Sequence, residues 1–356
     1  MDSLMEGITQ QPTTLAGVRK YYASPGAIST SALRELVEGW PPVVIFTGMG
    51  SSLFAAYPAQ AYLTALGIRA LVWETAELLH YHSKFLGPDV LLVIVSQSGE
   101  TVEVKRLLQA LPKGQPVLAV VNVEASTLAR KASLLLPMMS GRQGDVTTKT
   151  YMCSVAVLMY LAVAVAGREH REVTHALLEI IEAQEGILNR AEELIPPTVE
   201  FFNHPTYTVL MSRGPDLSSV HQGALTLKEV VRLAAEGTSA AQFRHGPIEI
   251  INTAHRYILI ARKSMLQPRV RSTTTAKFLL GLAEEIRSHG GRVLLFSDLE
   301  VAEGTNLRVV RVESAKLGMG TLIDSLHLQL MSHDLALRAG LEPGKLWIAE
   351  EITSVE

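Results

Sequence analysis

Short runs of β-branched and aliphatic residues alternate with longer helical stretches along the whole chain, and this alternation restricts the fold more than any other feature. A strand, a helix and a second strand form the unit of a parallel sheet, whose crossovers lay helices on both faces. In the first half the strand runs are PVVIFTGMG (42–50), IRALVWE (68–74), DVLLVIVSQ (89–97), PVLAVVN (116–122) and ASLLLPM (132–138). Between them lie the helical stretches SLFAAYPAQAYLTAL (52–66), TVEVKRLLQAL (101–111) and STLARKA (126–132). A further helical stretch, 173–195, leads to a break at Pro196 and Pro197. A second series follows: TYTVLMSRG (206–214), RYILIAR (256–262), RVLLFSD (292–298) and LRVVRV (307–312). These strands recur at an offset of roughly 160 to 175 positions, the pattern of one doubly wound domain present twice.

Composition agrees with two globular domains. A chain of 356 residues exceeds the usual single-domain size, and 47% hydrophobic against 19% charged residues is enough to bury large cores. A net charge of −3 leaves no electrostatic footprint for nucleic acid. The one basic cluster, ARKSMLQPRVR with Arg262, Lys263, Arg269 and Arg271, reads as a solvated loop and helix start. Cys153 has no partner cysteine, which excludes a disulfide framework. The uncharged stretch MCSVAVLMYLAVAVAG is too short to span a bilayer comfortably and is followed by REHRE, so it reads as a buried helix. The first residues are polar and mixed in charge, unlike a signal peptide, and a cytoplasmic protein is expected.

Open parallel sheets bind ligands at the carboxyl ends of their strands. Two loops occupy that place in the first half: GMGSS (48–52) and SQSGET (96–101). Gly99 allows a tight turn, and the helix after it aims unpaired N–H groups and its positive pole back at the loop. Neutral donors surround that pole and no lysine does, which suits a monophosphate better than a triphosphate with magnesium. Taken alone, either loop reads equally well as an ordinary helix cap.

Together, GMGSS and VIVSQSGET resemble the paired signatures of the sugar isomerase (SIS) family. MEGITQQP (5–12), ALTLKEV (224–230) and AQFRHGPIEII (241–251) agree in the same order with the isomerase half of the glutamine:fructose-6-phosphate aminotransferases. The resemblance implies an α/β fold of two tandem flavodoxin-like SIS domains, each a parallel sheet with helices on both faces. The expected layout is a leader and helix at 1–30, a first domain with the phosphosugar site at 31–195, a second domain at 196–338 and a closing tail at 339–356. It further implies a homodimer, a small-molecule sugar phosphate as ligand, and neither metal nor organic cofactor. Nucleic acid and membrane are not expected as partners.

Moving a proton between C1 and C2 of an open-chain sugar needs a positioned base, a group that serves the ring oxygen, and donors to the developing enediolate. By resemblance, Glu229 is the base and His245 the ring-opening group, supplied across the dimer interface. Without the resemblance, Glu229 reads as a solvated helix residue and His245 as a turn residue before Gly-Pro. Phosphate contacts carry over to Ser52, Ser96, Gln97, Ser98 and Thr101, with Ser51 as a neighbour. In GDVTTKT (144–150), Asp145 and Val146 are the expected sugar contacts, while Lys149 either closes the site or caps a helix. His80 and His82, an i, i+2 pair, match no motif and share no helix face for a metal.

The pattern departs from the family in two places. The aminotransferases begin with a glutaminase domain, whereas this sequence starts near its isomerase half and has one cysteine, so synthesis from glutamine is not expected. In the tail LWIAEEITSVE (346–356), the family's lysine position falls on Glu350 or Glu351. A carboxylate there holds a substrate amine or serves as a second acid/base group, and it forms no Schiff base. The expected function is phosphosugar aldose–ketose isomerisation or aminosugar-phosphate deamination through an enediol or enolamine. Fructosamine-6-phosphate deglycation and a non-catalytic sugar-phosphate sensor are the alternatives.

Overall fold

The computed structural model describes residues 2–24, 27–203, 205–263 and 272–348. The chain divides into two units: of the described residues, one is formed by Gln10–Ile181 with Trp347 and Ile348, and the other by Glu182–Leu346 together with residues 2–9. The division falls inside the helix Arg171–Asn189.

In the first unit, β1 (Val43–Gly48), β2 (Ala70–Glu74), β3 (Val90–Ser96), β4 (Val117–Val121) and β5 (Leu134–Pro137) form a sheet in the order β2-β1-β3-β4-β5. All four pairings are parallel. Every residue of β3 and β4 is buried, which is why these strands are continuous apolar runs with no alternation. Ile45, Leu92, Ile94, Ala119 and Val121 pack against Val104, Leu107 and Leu128 of the covering helices. The helix Lys149–Val165 is buried along its full length, as a sequence with no charge after Lys149 requires. Among the described residues no helix is long and apolar enough to cross a membrane.

The second unit repeats the strand order. Here β6 (Tyr207–Ser212), β7 (Ala235–Ser239), β8 (His255–Ala261), β9 (Arg292–Ser297) and β10 (Leu307–Arg311) run β10-β9-β8-β6-β7, again all parallel. In both sheets the order turns back on itself beside the first strand, between β1 and β3 and between β6 and β8.

Nine of these strands match the apolar runs of the sequence. The tenth, β7, does not, because AEGTS is an edge strand paired only with β6. A Cβ at Gly237 would lie 2.9 Å from the Val220 carbonyl oxygen and 3.0 Å from the Cα of His221, so the helix Leu217–Thr226 excludes a side chain there.

Two expectations are corrected. Pro196 and Pro197 do not break the chain: they lie inside the helix Ala191–Phe202, and the interruption comes at Arg190 (φ −114°, ψ 14°). The prolines remove the N–H groups that would bond the Glu192 and Glu193 carbonyls, yet the buried face of Ile195, Thr198, Val199 and Phe202 carries the helix through. Arg262 is not solvated. It follows β8 directly, is 2% exposed, and its guanidinium meets Asp324 and lies 3.6 Å from Asp216. Lys263 is exposed, and Arg269 and Arg271 lie outside the described residues.

Candidate active site

The first unit brings its two small-residue loops to adjacent strand ends. β1 ends at Gly48, where a Cβ would come within 2.9 Å of both the Ser52 Cβ and the Val95 carbonyl oxygen. The glycine therefore lets the turn before the helix Ser51–Phe54 press against β3. β3 ends at Ser96 and hands over to Gln97-Ser98-Gly99-Glu100-Thr101, with Thr101 at the N-cap of the helix Val102–Ala110. Gly99 has φ +67°, and a Cβ on it would sit 2.3 Å from the Ser126 hydroxyl. Both the conformation and the space demand glycine.

The loop's hydroxyls are held as donors. Ser96 Oγ accepts from the Gly99 N–H (3.0 Å) and Ser98 Oγ accepts from the Glu100 N–H (3.2 Å). Each hydroxyl hydrogen is thus left for another acceptor. Thr101 Oγ1 is buried without a hydrogen-bond partner. A small recess of about 20 Å³, room for one water-sized group, is lined by Ser51, Ser52, Gln97, Met138, Thr147, Thr150, Tyr151 and Ser154. No charged side chain lines it. Hydroxyl, amide and helix-pole donors suit an anion that already carries its full charge.

Of the residues expected in this unit, Ser51, Ser52 and Gln97 line the recess; Ser96, Ser98 and Thr101 shape the loop beside it. Asp145 is exposed and Val146 is buried, and neither lines the recess. Thr147 and Thr150, from the same segment, do. Gln143 sets that arrangement: its amide nitrogen donates to the Gly144 and Val146 carbonyls, and its Oε1 accepts from the Thr150 hydroxyl at 2.7 Å. Lys149 is buried and donates to Gln10 Oε1 at 2.6 Å. Tyr151 and Ser154 went unnoticed in the sequence because they fall inside the apolar helix. Ser154 stands at i+3 from Tyr151 and i+4 from Thr150, on one helix face, and that spacing was the available signal.

In the second unit Glu229 lies on a π-helical turn, Leu227–Val231, that continues the helix Leu217–Thr226. Such turns concentrate at functional positions. The turn ends at Arg232 in the left-handed conformation (φ 57°). Glu229 is half-buried, and its Oε2 is sealed from solvent with no hydrogen-bond partner. Burial pushes its carboxyl up to about 7, against the opposing pull of the Lys228 amine. A carboxylate with an idle buried oxygen and a proton exchanged near neutrality is a competent general base.

His245 is exposed and follows the helix Ala240–Phe243, its backbone N–H donating to the Gln242 carbonyl. Glu350 and Glu351 lie outside the described residues. His82 stacks on Trp73 at 4.6 Å, and no cluster of three metal-ligating side chains occurs among the described residues.

The family model described as "SIS domain" matches residues 42–166, the stretch that holds both loops and the recess. The glutamine–fructose-6-phosphate aminotransferase (isomerizing) of Gluconobacter oxydans is 27% identical over 314 residues, 85% of this chain and 50% of its own length. The chain thus spans about half the length of that relative. The solved C-terminal domain of glucosamine-fructose-6-phosphate aminotransferase from Francisella tularensis superposes with a TM-score of 0.84, covering 97% of this chain and 98% of that one at 21% identity. Glucosamine-6-phosphate deaminase from Thermotoga maritima gives 0.73, with 99% and 100% covered at 20% identity.

Proposed function

We propose that this chain, a member of the SIS family through its domain at residues 42–166, is a sugar-phosphate isomerase or aminosugar-phosphate deaminase working by proton transfer at C1 and C2. The serine corner of the first unit holds the phosphate. Glu229 takes the proton from the carbon beside the carbonyl and returns it to the neighbouring carbon. The observation that carries the reading is Glu229 itself: a carboxyl oxygen buried without a partner and raised to about 7 is costly for folding and useful for catalysis.

The chemistry follows from the groups present. Neutral donors fix the phosphate without neutralising it and so orient the rest of an open-chain sugar by one end. A base near 7 is largely ionised at slightly alkaline pH, yet still basic enough to abstract a proton made acidic by an adjacent carbonyl or iminium. His245 opens the sugar ring, contributed by a second copy of the chain in a homodimer. If the substrate carries an amine at C2, the same proton transfer leads through an enolamine to hydrolytic loss of ammonia. Otherwise it ends as an aldose–ketose exchange.

A panel of hexose 6-phosphates and 2-amino-2-deoxyhexose 6-phosphates, incubated with the protein and followed for ketose, aldose and ammonia, tests the reading. Turnover of at least one, abolished in Glu229→Gln and weakened through a higher KM in Thr101→Val, is the expected result. Binding of several without turnover of any would assign the chain to sugar-phosphate sensing instead.

A further inference from the structure

We propose that Glu100 is a positioning residue that sets the grip of the phosphate loop by tying it to the next strand–helix connection. This rests on the reading of the serine corner as a phosphate site. Glu100 lies within that loop, but its side chain turns away from the recess lining. Its Oε1 accepts from the Thr127 N–H at 2.6 Å, and its Oε2 accepts from the Thr127 hydroxyl at 3.2 Å and pairs with the Lys105 amine at 3.0 Å. Thr127 is the first residue of the helix Thr127–Lys131, so the carboxylate caps one of that helix's unpaired N–H groups.

Backbone bonds close the same seam. The Gln97 carbonyl accepts from the Asn122 and Val123 N–H groups at 3.1 and 3.3 Å, and the Gly99 carbonyl accepts from the Leu128 N–H at 3.2 Å. Both carbonyls are thus turned toward residues 122–128, while Gln97 lines the recess. Asn122 extends the brace to the segment leading into the recess: its Oδ1 accepts from the Ser140 N–H and hydroxyl, and its amide donates to the Gly141 carbonyl. Glu100 is the one charged group in the seam's loop, and its bonds to Thr127 hold its carboxyl down to about 2. It therefore stays ionised throughout the range in which a sugar phosphate is bound.

The contact can be cut from either side. Glu100→Leu removes both acceptor oxygens at similar bulk, where a glutamine would keep one oxygen for the Thr127 N–H. Thr127→Pro removes both the N–H and the hydroxyl, and the site accepts proline: it is the first helical position, and Ser126 before it already has φ −71° and ψ 165°. Inorganic phosphate is titrated by calorimetry into the wild type, each single variant and the double, with thermal melts of all four. Each single variant is expected to bind phosphate about tenfold more weakly, and the double no more weakly than the worse single, because both cut one contact. On any sugar phosphate that the wild type turns over, KM should rise by a similar factor and kcat change far less. Phosphate affinity within twofold of wild type in Glu100→Leu, or losses that multiply in the double, would overturn the inference. A wild type that binds no phosphate at all would instead remove the reading on which it rests.

Discussion

Replacing Glu229 by glutamine separates the two consequences of burying a carboxyl. The side chains are the same size, but the amide does not titrate. In the wild type the carboxyl moves from an ordinary 4.5 in the unfolded chain to about 7 in the folded one. The folded chain therefore holds its proton where the unfolded chain has released it. This group's contribution to stability is complete below 4.5 and is lost as pH rises through 7. A gap of about 2.5 pH units at 1.36 kcal/mol each amounts to roughly 3 kcal/mol, of which about 2.5 kcal/mol develops between pH 5 and 8. Urea unfolding of wild type and Glu229→Gln at pH 5, 6, 7 and 8, followed by far-ultraviolet circular dichroism, reads this directly. The glutamine variant should gain on the wild type by about 2.5 kcal/mol across the series, whatever constant offset the amide introduces. A difference that stays flat to within about 0.5 kcal/mol would show that Glu229 titrates as an ordinary surface acid, and the catalytic argument would lose its basis.

Thr101→Val is expected to weaken phosphate binding while leaving stability equal or higher by up to about 1 kcal/mol, since it replaces an unpartnered buried hydroxyl with a methyl group; calorimetry and melts on one preparation test both. Gly99→Ala should destabilise the first unit by about 1–3 kcal/mol in urea unfolding, because φ is +67° and the added carbon meets the Ser126 hydroxyl. Burial, with the neighbouring Asp324 carboxylate adding to it, holds Asp216 up to about 7 despite Arg262. It too withdraws stability as pH rises from about 4 through 7, and Asp216→Asn should flatten that part of the wild-type pH–stability curve. Cys153 is fully buried and its thiol is pushed up by that burial, so a disulfide reagent should label it only after unfolding.

The sheets were legible because their central strands are covered on both faces and must be apolar along their buried length, as Val90–Val95 and Tyr257–Ala261 are. β7 was invisible for the converse reason: an edge strand pressed by a helix has no apolar run to show, and Gly237 reads as a loop. Pro196 and Pro197 misled because a helix's buried face outweighs two missing N–H groups. Arg262 misled because its partners, Asp216 and Asp324, lie 46 or more residues away in sequence, and a basic cluster gives no hint of distant carboxylates. At the serine corner the loop's hydroxyls and glycines announced themselves. The recess's far wall, Tyr151 and Ser154, was hidden inside a helix that the sequence explains fully as core. The sealed oxygen of Glu229 was equally hidden, since the adjacent Lys228 gives that turn the look of a solvated surface.

Hydrogen–deuterium exchange at carbon tests the central claim most directly. The protein is incubated in heavy water with each member of the hexose and aminohexose 6-phosphate panel, and the recovered sugars are examined by NMR. The expected result is deuterium at C1 or C2 of at least one sugar with wild type, and none with Glu229→Gln under conditions where calorimetry shows that sugar still bound. Equal deuterium incorporation by the two proteins, or none from any sugar that the wild type binds, would contradict the assignment of Glu229 as the base.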